Sequence, residues 1–139
     1  YLTPKLVEHI DDAFRSKLTR LYDEEIPEIS VVLDLMSSHV SHLPAEKAFQ
    51  RVDVHGMNLD ELTQNQARLA TGGSCFVRNL NEKPNLFGLC DATAAYVAVL
   101  CCVGIQYLQE PEQVFADVAR VLRPGGVIII SFSNRFFYE

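Results

Sequence analysis

Asp34 ends the apolar run Val31-Val32-Leu33, and Ser37 and Ser38 follow shortly after. A buried strand that delivers a carboxylate to its carboxyl end would look like this. In open α/β sheets, ligands bind in the crevice outside those ends, where the strand order reverses. His39 and His42 stand three positions apart just beyond. Imidazole titrates near neutrality, so either suits a general base beside a reacting group. With Asp34 they could begin a metal site, but no third ligand accompanies them, and the expectation is that no metal is held. His9, Asp11 and Asp12 could line a site, although charged residues on a helix usually just face water. Ser131-Phe132-Ser133-Asn134-Arg135 leaves another apolar run, and Arg135 could meet an anionic substrate. A capped turn is the plainer reading of that stretch. Cys75, Cys90, Cys101 and Cys102 include no C-x-x-C pair, which leaves buried free thiols in a reducing, cytoplasmic setting as the expectation.

These residues need elements to hold them. Ile10, Ala13, Phe14, Leu18, Leu21 and Tyr22 recur at three- and four-residue steps, which predicts a helix over 3–23. The first strand runs over 29–35 and is nearly all apolar, as a strand covered on both faces must be. A loop follows to Pro44, with a short helical turn over 45–50. A second strand is expected over 51–56 and a single helix over 59–70, with Asn58 as its N-cap. Thr71-Gly72-Gly73 ends that helix, and a third strand covers 74–78. The fourth strand spans 96–103 and an amphipathic helix 111–122. Pro124-Gly125-Gly126 then stops the helix and turns the chain into a fifth strand over 127–132. Strands this apolar, alternating with helices, predict a Rossmann-like, doubly wound, mainly parallel sheet with helices on both faces.

At 139 residues the chain reads as one domain, 48% hydrophobic and 22% charged. Its core is expected over 29–132. The sheet apparently ends after the fifth strand, with a lid or further strands left to a C-terminal truncation. A net charge of −6 argues against a nucleic-acid surface. No apolar run approaches the length of a membrane span.

Val121-Leu122-Arg123-Pro124-Gly125-Gly126 followed by Val127-Ile128-Ile129-Ile130-Ser131 is the most specific stretch. With Val99-Leu100-Cys101-Cys102 and Ile105-Gln106-Tyr107-Leu108, it resembles the class I S-adenosylmethionine-dependent methyltransferases. In that family L-[RK]-P-G-G links a helix to the fifth strand. The resemblance runs over roughly 29–132 and is strongest in the C-terminal half. It implies S-adenosylmethionine as cofactor and a small molecule as methyl acceptor; the charge and the short apolar runs leave no nucleic acid or membrane as an expected partner. Val31-Val32-Leu33-Asp34 matches the family's strand and acid. The glycines that normally follow are absent, and Met36, Ser38 and Val40 stand in their places, with Met36 and Val40 narrowing the space. Asn58 replaces the acid that takes the ribose hydroxyls. Asn79 replaces the one near the adenine, and Leu80 would cover the ring face. Gln106 and Tyr107 follow the fourth strand, where the family places residues against the methionine portion and the acceptor. The resemblance thus implies cofactor contacts at Asp34, Met36, Asn58, Asn79, Leu80 and Gln106. Tyr107 is implied on the acceptor side, where His9, His39 and Arg135 are the weaker candidates read from the residues themselves. A non-catalytic binding module with an eroded cofactor site is the alternative. A nicotinamide-dependent oxidoreductase would want G-x-G-x-x-G after the first strand, and none is present.

Overall fold

The computed structural model describes residues 12–90, 93–102 and 104–131. Helix α1 (Asp12–Glu25) leads into strand β1 (Ser30–Leu35) and then β2 (Phe49–Gly56). Two short helices follow, α2 (Leu59–Thr63) and α3 (Gln66–Thr71), then β3 (Cys75–Val77) and β4 (Tyr96–Cys102). A single 3-10 turn (Ile105–Tyr107) precedes α4 (Pro111–Val121) and β5 (Leu122–Ser131). The five strands are ordered β3-β2-β1-β4-β5. Every pairing is parallel, with Val32 opposite both Val52 and Ala98. The order therefore reverses between β1 and β4.

Alternation along the strands separates two cores. Leu33, Leu35, Val99 and Cys101 face α4, meeting Val114, Val118 and Val121. Val32, Val52, Val54, Ala98, Leu100 and Ile129 face the other way, against Leu18 and Tyr22 of α1 and Leu62 of α2. Both faces are covered, as near-continuous apolar strands require. None of the described helices is long and apolar enough to cross a membrane.

Three of the differences from the sequence reading come from a distant partner. Residues 49–50 are strand rather than helical turn. Ile29 N donates to Ala48 O at 2.8 Å, and Phe49 sits opposite Ser30, so the sheet recruits this segment. The single helix expected over 59–70 is two, divided at Asn65. The Asn65 side-chain oxygen accepts from Arg68 N and so starts a new helix. Its amide nitrogen donates to Ser38 O at 3.0 Å and Ser41 Oγ at 2.8 Å. The fifth strand begins at Leu122, opposite Tyr96, and Val127 is already opposite Ala98. Residues 123–126 thus loop out within the strand. Gly125 has φ 81°, and a Cβ on Gly126 would fall 2.8 Å from Val97 O. The predicted start of α1 and residues 103 and 132 lie outside the described residues.

Asn65 is fully buried and serves two segments at once. Asn65→Ala is expected to cost about 2–3 kcal/mol, the sum of a lost cap and two lost side-chain bonds to Ser38 and Ser41. Urea denaturation measures this, and a loss below roughly 0.5 kcal/mol, the usual range for surface substitutions, would contradict it.

Candidate functional site

A cavity of about 320 Å³ opens at the carboxyl ends of β1, β2 and β4, at the point where strand order reverses. That is the place where doubly wound sheets bind ligands, and the size suits a small molecule. Asp34 forms part of its wall and is only 3% exposed. Ser37 Oγ donates to Asp34 Oδ2 at 2.7 Å. Burial pushes the Asp34 carboxyl up to about 7, against the pull of the Ser41 and Ser37 hydroxyls. Asp34 is the only acid among the described lining residues.

Tyr22 and the Cys101 and Cys102 thiols lie close enough to Asp34 to feel its charge. Burial and that charge push the Tyr22 hydroxyl up, and each thiol up to about 12. These thiols stay protonated and inert as nucleophiles. All four cysteines are unpaired. Among the described residues, no group of His, Cys, Asp and Glu could hold a metal ion.

Met36, the first residue after β1, has φ 54°, the left-handed region that favours glycine. Its backbone N donates to His55 Nδ1 at 3.0 Å, and Ser37 N donates to His55 O at 2.6 Å. The Met36 side chain lies over Gly104, where a Cβ would fall 2.9 Å from Met36 Sδ. The missing side chain at 104 makes room for the extra one at 36. Met36 and Val40 line the cavity without closing it.

His55, in β2, is 1% exposed and lines the same cavity. Its Nδ1 accepts from Met36 N, so Nε2 carries the proton and donates to Arg78 O at 2.9 Å. Burial, reinforced by the Arg78 charge, lowers this imidazole to about 4 and keeps it neutral. Nothing in the local pattern singled His55 out, because both partners are remote in sequence. His42 also lines the cavity, and burial with the Arg15 charge lowers its pKa.

The far wall comes from the loop after β3. Arg78, Asn79, Leu80 and Asn81 line it. Asn81 Nδ2 donates to Tyr107 O and Asn81 Oδ1 accepts from Gln109 N, both at 2.9 Å. These bonds tie the loop after β3 to the turn after β4, and Tyr107 and Leu108 complete the wall.

The structure therefore gathers Asp34, Met36, Asn79, Leu80 and Tyr107 around one cavity. Asn58 is placed elsewhere: its side-chain oxygen accepts from Glu61 N at 3.1 Å and caps α2, while its neighbour Met57 lines the wall. Gln106 is exposed on the 3-10 turn, and half-buried His39 lies outside the lining. His9 and Arg135 lie outside the described residues. Ser37, His55, Gly104 and Cys102 line the cavity without having been singled out in the sequence as contacts.

A family model described as a methyltransferase domain matches residues 41–130. The chain belongs to this methyltransferase domain family. The sheet order and the L-R-P-G-G bulge agree with the class I, Rossmann-like architecture that the motifs implied. No curated protein matches the chain by sequence. An S-adenosylmethionine-dependent methyltransferase from Mesorhizobium loti shares the fold at TM-score 0.58 and 16% identity, over 79% of this chain and 50% of its own. Phosphoethanolamine N-methyltransferase 2 from Haemonchus contortus, solved with S-adenosyl-L-methionine, matches at 0.61 and 17%, over 82% of this chain and 27% of its own. The [4+2]-cyclase SpnF matches at 0.61 and 17%, over 81% of this chain and 43% of its own, so the fold alone does not fix the reaction. This methyltransferase domain spans half the length of the first of these structures and less of the other two.

Proposed function

We propose that this methyltransferase domain binds S-adenosylmethionine in the cavity at the ends of β1, β2 and β4 and transfers its methyl group to a small-molecule acceptor. One observation carries the reading: the buried Asp34 carboxylate stands in a mostly apolar cavity at the reversal point of the sheet. The residues fit the cofactor's parts. Asp34 provides the anionic partner for the α-ammonium of the amino-acid end. Leu80, Met57 and Leu108 provide apolar cover for a base, and Asn79 provides an amide for its edge. The left-handed turn at Met36 is kept without glycine, which favours a working cofactor site over an eroded one.

When bound, the cofactor supplies an electrophilic methyl group on a sulfonium. The protein's share is to hold the reactants in line and exclude water, which can supply much of the rate of a transfer between bound groups. Tyr107, about two-fifths exposed, is the acceptor-side contact, and His42, an imidazole whose pKa burial lowers, is the candidate base among the lining residues. No residue needs to become covalently attached.

A thermal-shift titration with S-adenosylmethionine, S-adenosylhomocysteine and NAD tests the reading. A ligand held only by the folded state adds roughly 2.7 kcal/mol at a hundred times its dissociation constant. A saturable shift is expected with the first two ligands. A shift with NAD alone would point to an oxidoreductase, and no shift with any of them would point to a binding module.

A further inference from the structure

The least expected feature of the cavity is a bulky residue in the left-handed region on its wall. Met36 at φ 54° adopts a conformation that L side chains disfavour. Such strain persists only where the surroundings over-determine it. Beside the Ser37 backbone bond and the packing on Gly104, one side chain bears directly on the Met36 backbone. His55 sits on the neighbouring strand, 1% exposed, with Nδ1 on Met36 N at 3.0 Å and Nε2–H on Arg78 O at 2.9 Å. Its own carbonyl takes Ser37 N. One imidazole therefore joins the turn after β1 to the loop after β3, the two walls of the cavity that carry Asp34 on one side and Asn79 and Leu80 on the other.

We propose that His55 is a positioning residue that takes over the part of a turn glycine, bracing Met36 in its left-handed conformation so that the two walls stay at cofactor-binding separation. This rests on the cofactor reading above. The brace requires a group that accepts on one side and donates on the other. A neutral imidazole does both, and a protonated one loses the acceptor. A glycine at position 36 would adopt the same backbone at no cost and would not need the brace. His55 and Met36 are thus energetically coupled, and the coupling shows in ligand binding rather than in stability alone.

The test is a double-mutant cycle read by isothermal titration of S-adenosylhomocysteine, with the thermal midpoint of each variant measured alongside. His55→Leu is expected to weaken binding by about tenfold or more, a coupling within the range of contacting pairs. His55→Asn, whose side-chain oxygen can accept from Met36 N–H and so keep one end of the brace, is expected to lose clearly less than His55→Leu. Adding Met36→Gly to His55→Leu is expected to return binding to within about threefold, because the brace is then superfluous. Equal losses from His55→Leu with and without Met36→Gly would overturn the proposal, as would unchanged binding in His55→Leu. Should His55→Leu alone not fold, a folded and binding double variant supports the coupling and an unfolded one overturns it. Absence of saturable binding by the parent chain would overturn the cofactor reading and this proposal together, whereas an additive cycle on a binding parent removes this proposal alone.

Discussion

Asp34→Asn is expected to make the unliganded domain more stable at neutral pH while weakening its hold on the cofactor. The carboxyl is raised from the ordinary 3.8 to about 7 by burial. Between those values the folded state keeps a proton that the unfolded chain has released, so this group's contribution to stability falls as pH rises through the window and levels off above it. Taken at face value, that displacement is worth roughly 4 kcal/mol, an upper bound for the gain on neutralising the side chain. His55 runs the other way: lowered from 6.5 to about 4, it favours the folded state as pH rises across its own window. The wild-type profile is therefore a difference of two opposed slopes. Subtracting it from the Asp34→Asn profile removes the His55 part. Urea denaturation at several pH values between about 4 and 8 should give a stability difference that is small at the acid end, grows towards about 7, and is flat beyond. A pH-independent difference would contradict the assignment of the burial cost to Asp34. The same substitution should weaken S-adenosylhomocysteine by about tenfold or more above neutral pH, since the ligand's α-ammonium then loses its buried anion. The charge that costs stability in the ligand-free domain is thus the charge that an ammonium group recovers.

The second large effect is expected at two adjacent glycines with opposite outcomes. Gly73 is buried where the chain passes beside β2, and a Cβ there would fall 1.8 Å from Val52 O and 2.6 Å from Val52 C. Neither backbone can retreat. Val52 N donates to Thr71 Oγ1 at 2.9 Å, Val54 N to Ser74 O at 2.9 Å, and Ser74 N to Asp53 Oδ1 at 2.8 Å, so the two segments are laced together on both sides of the contact. Gly73→Ala is expected to cost more than about 4 kcal/mol, the range reserved for a named structural failure, and to leave little folded protein. Gly72, next door, is the left-handed cap of α3 at φ 69° with nothing within 4 Å of a built Cβ. Gly72→Ala is expected to cost only about 1–2 kcal/mol, the backbone term alone. Expression and urea midpoints of the two variants check this, and a Gly73→Ala variant within roughly 1 kcal/mol of wild type would contradict the close approach.

The strands and their faces were legible because they are local. Val32 and Leu33, or Val99 and Leu100, declare by alternation and hydrophobicity that both sides are covered. Asp34 at the end of such a run declared the crevice, and the residues at neighbouring strand ends, Asn79, Leu80 and Tyr107, fell around it for the same geometric reason. Asn58 had two readings in the sequence, and the structure shows its oxygen on the helix cap. What stayed hidden depends on partners far along the chain. Nothing between Leu59 and Ala70 reveals that Asn65 reaches back to Ser38 and Ser41 and cuts the helix. The L-R-P-G-G stretch reads locally as a link between helix and strand, and only the pairing of Leu122 with Tyr96 turns it into a bulge inside β5. Met36 and Val40 looked like obstructions, but the space given back at Gly104 is visible only once the turn after β4 is folded against the turn after β1.

The most direct test of the central claim is a ¹H–¹⁵N correlation titration of the chain with S-adenosylhomocysteine. The account predicts saturable shifts gathered at the amides of Ser37, Ser38, Gly56, Leu80 and Gly104, which surround the cavity from four strand ends. Shifts confined to the wider groove between α1 and the segment carrying His42 and Lys47, or no saturable shifts at all, would contradict it.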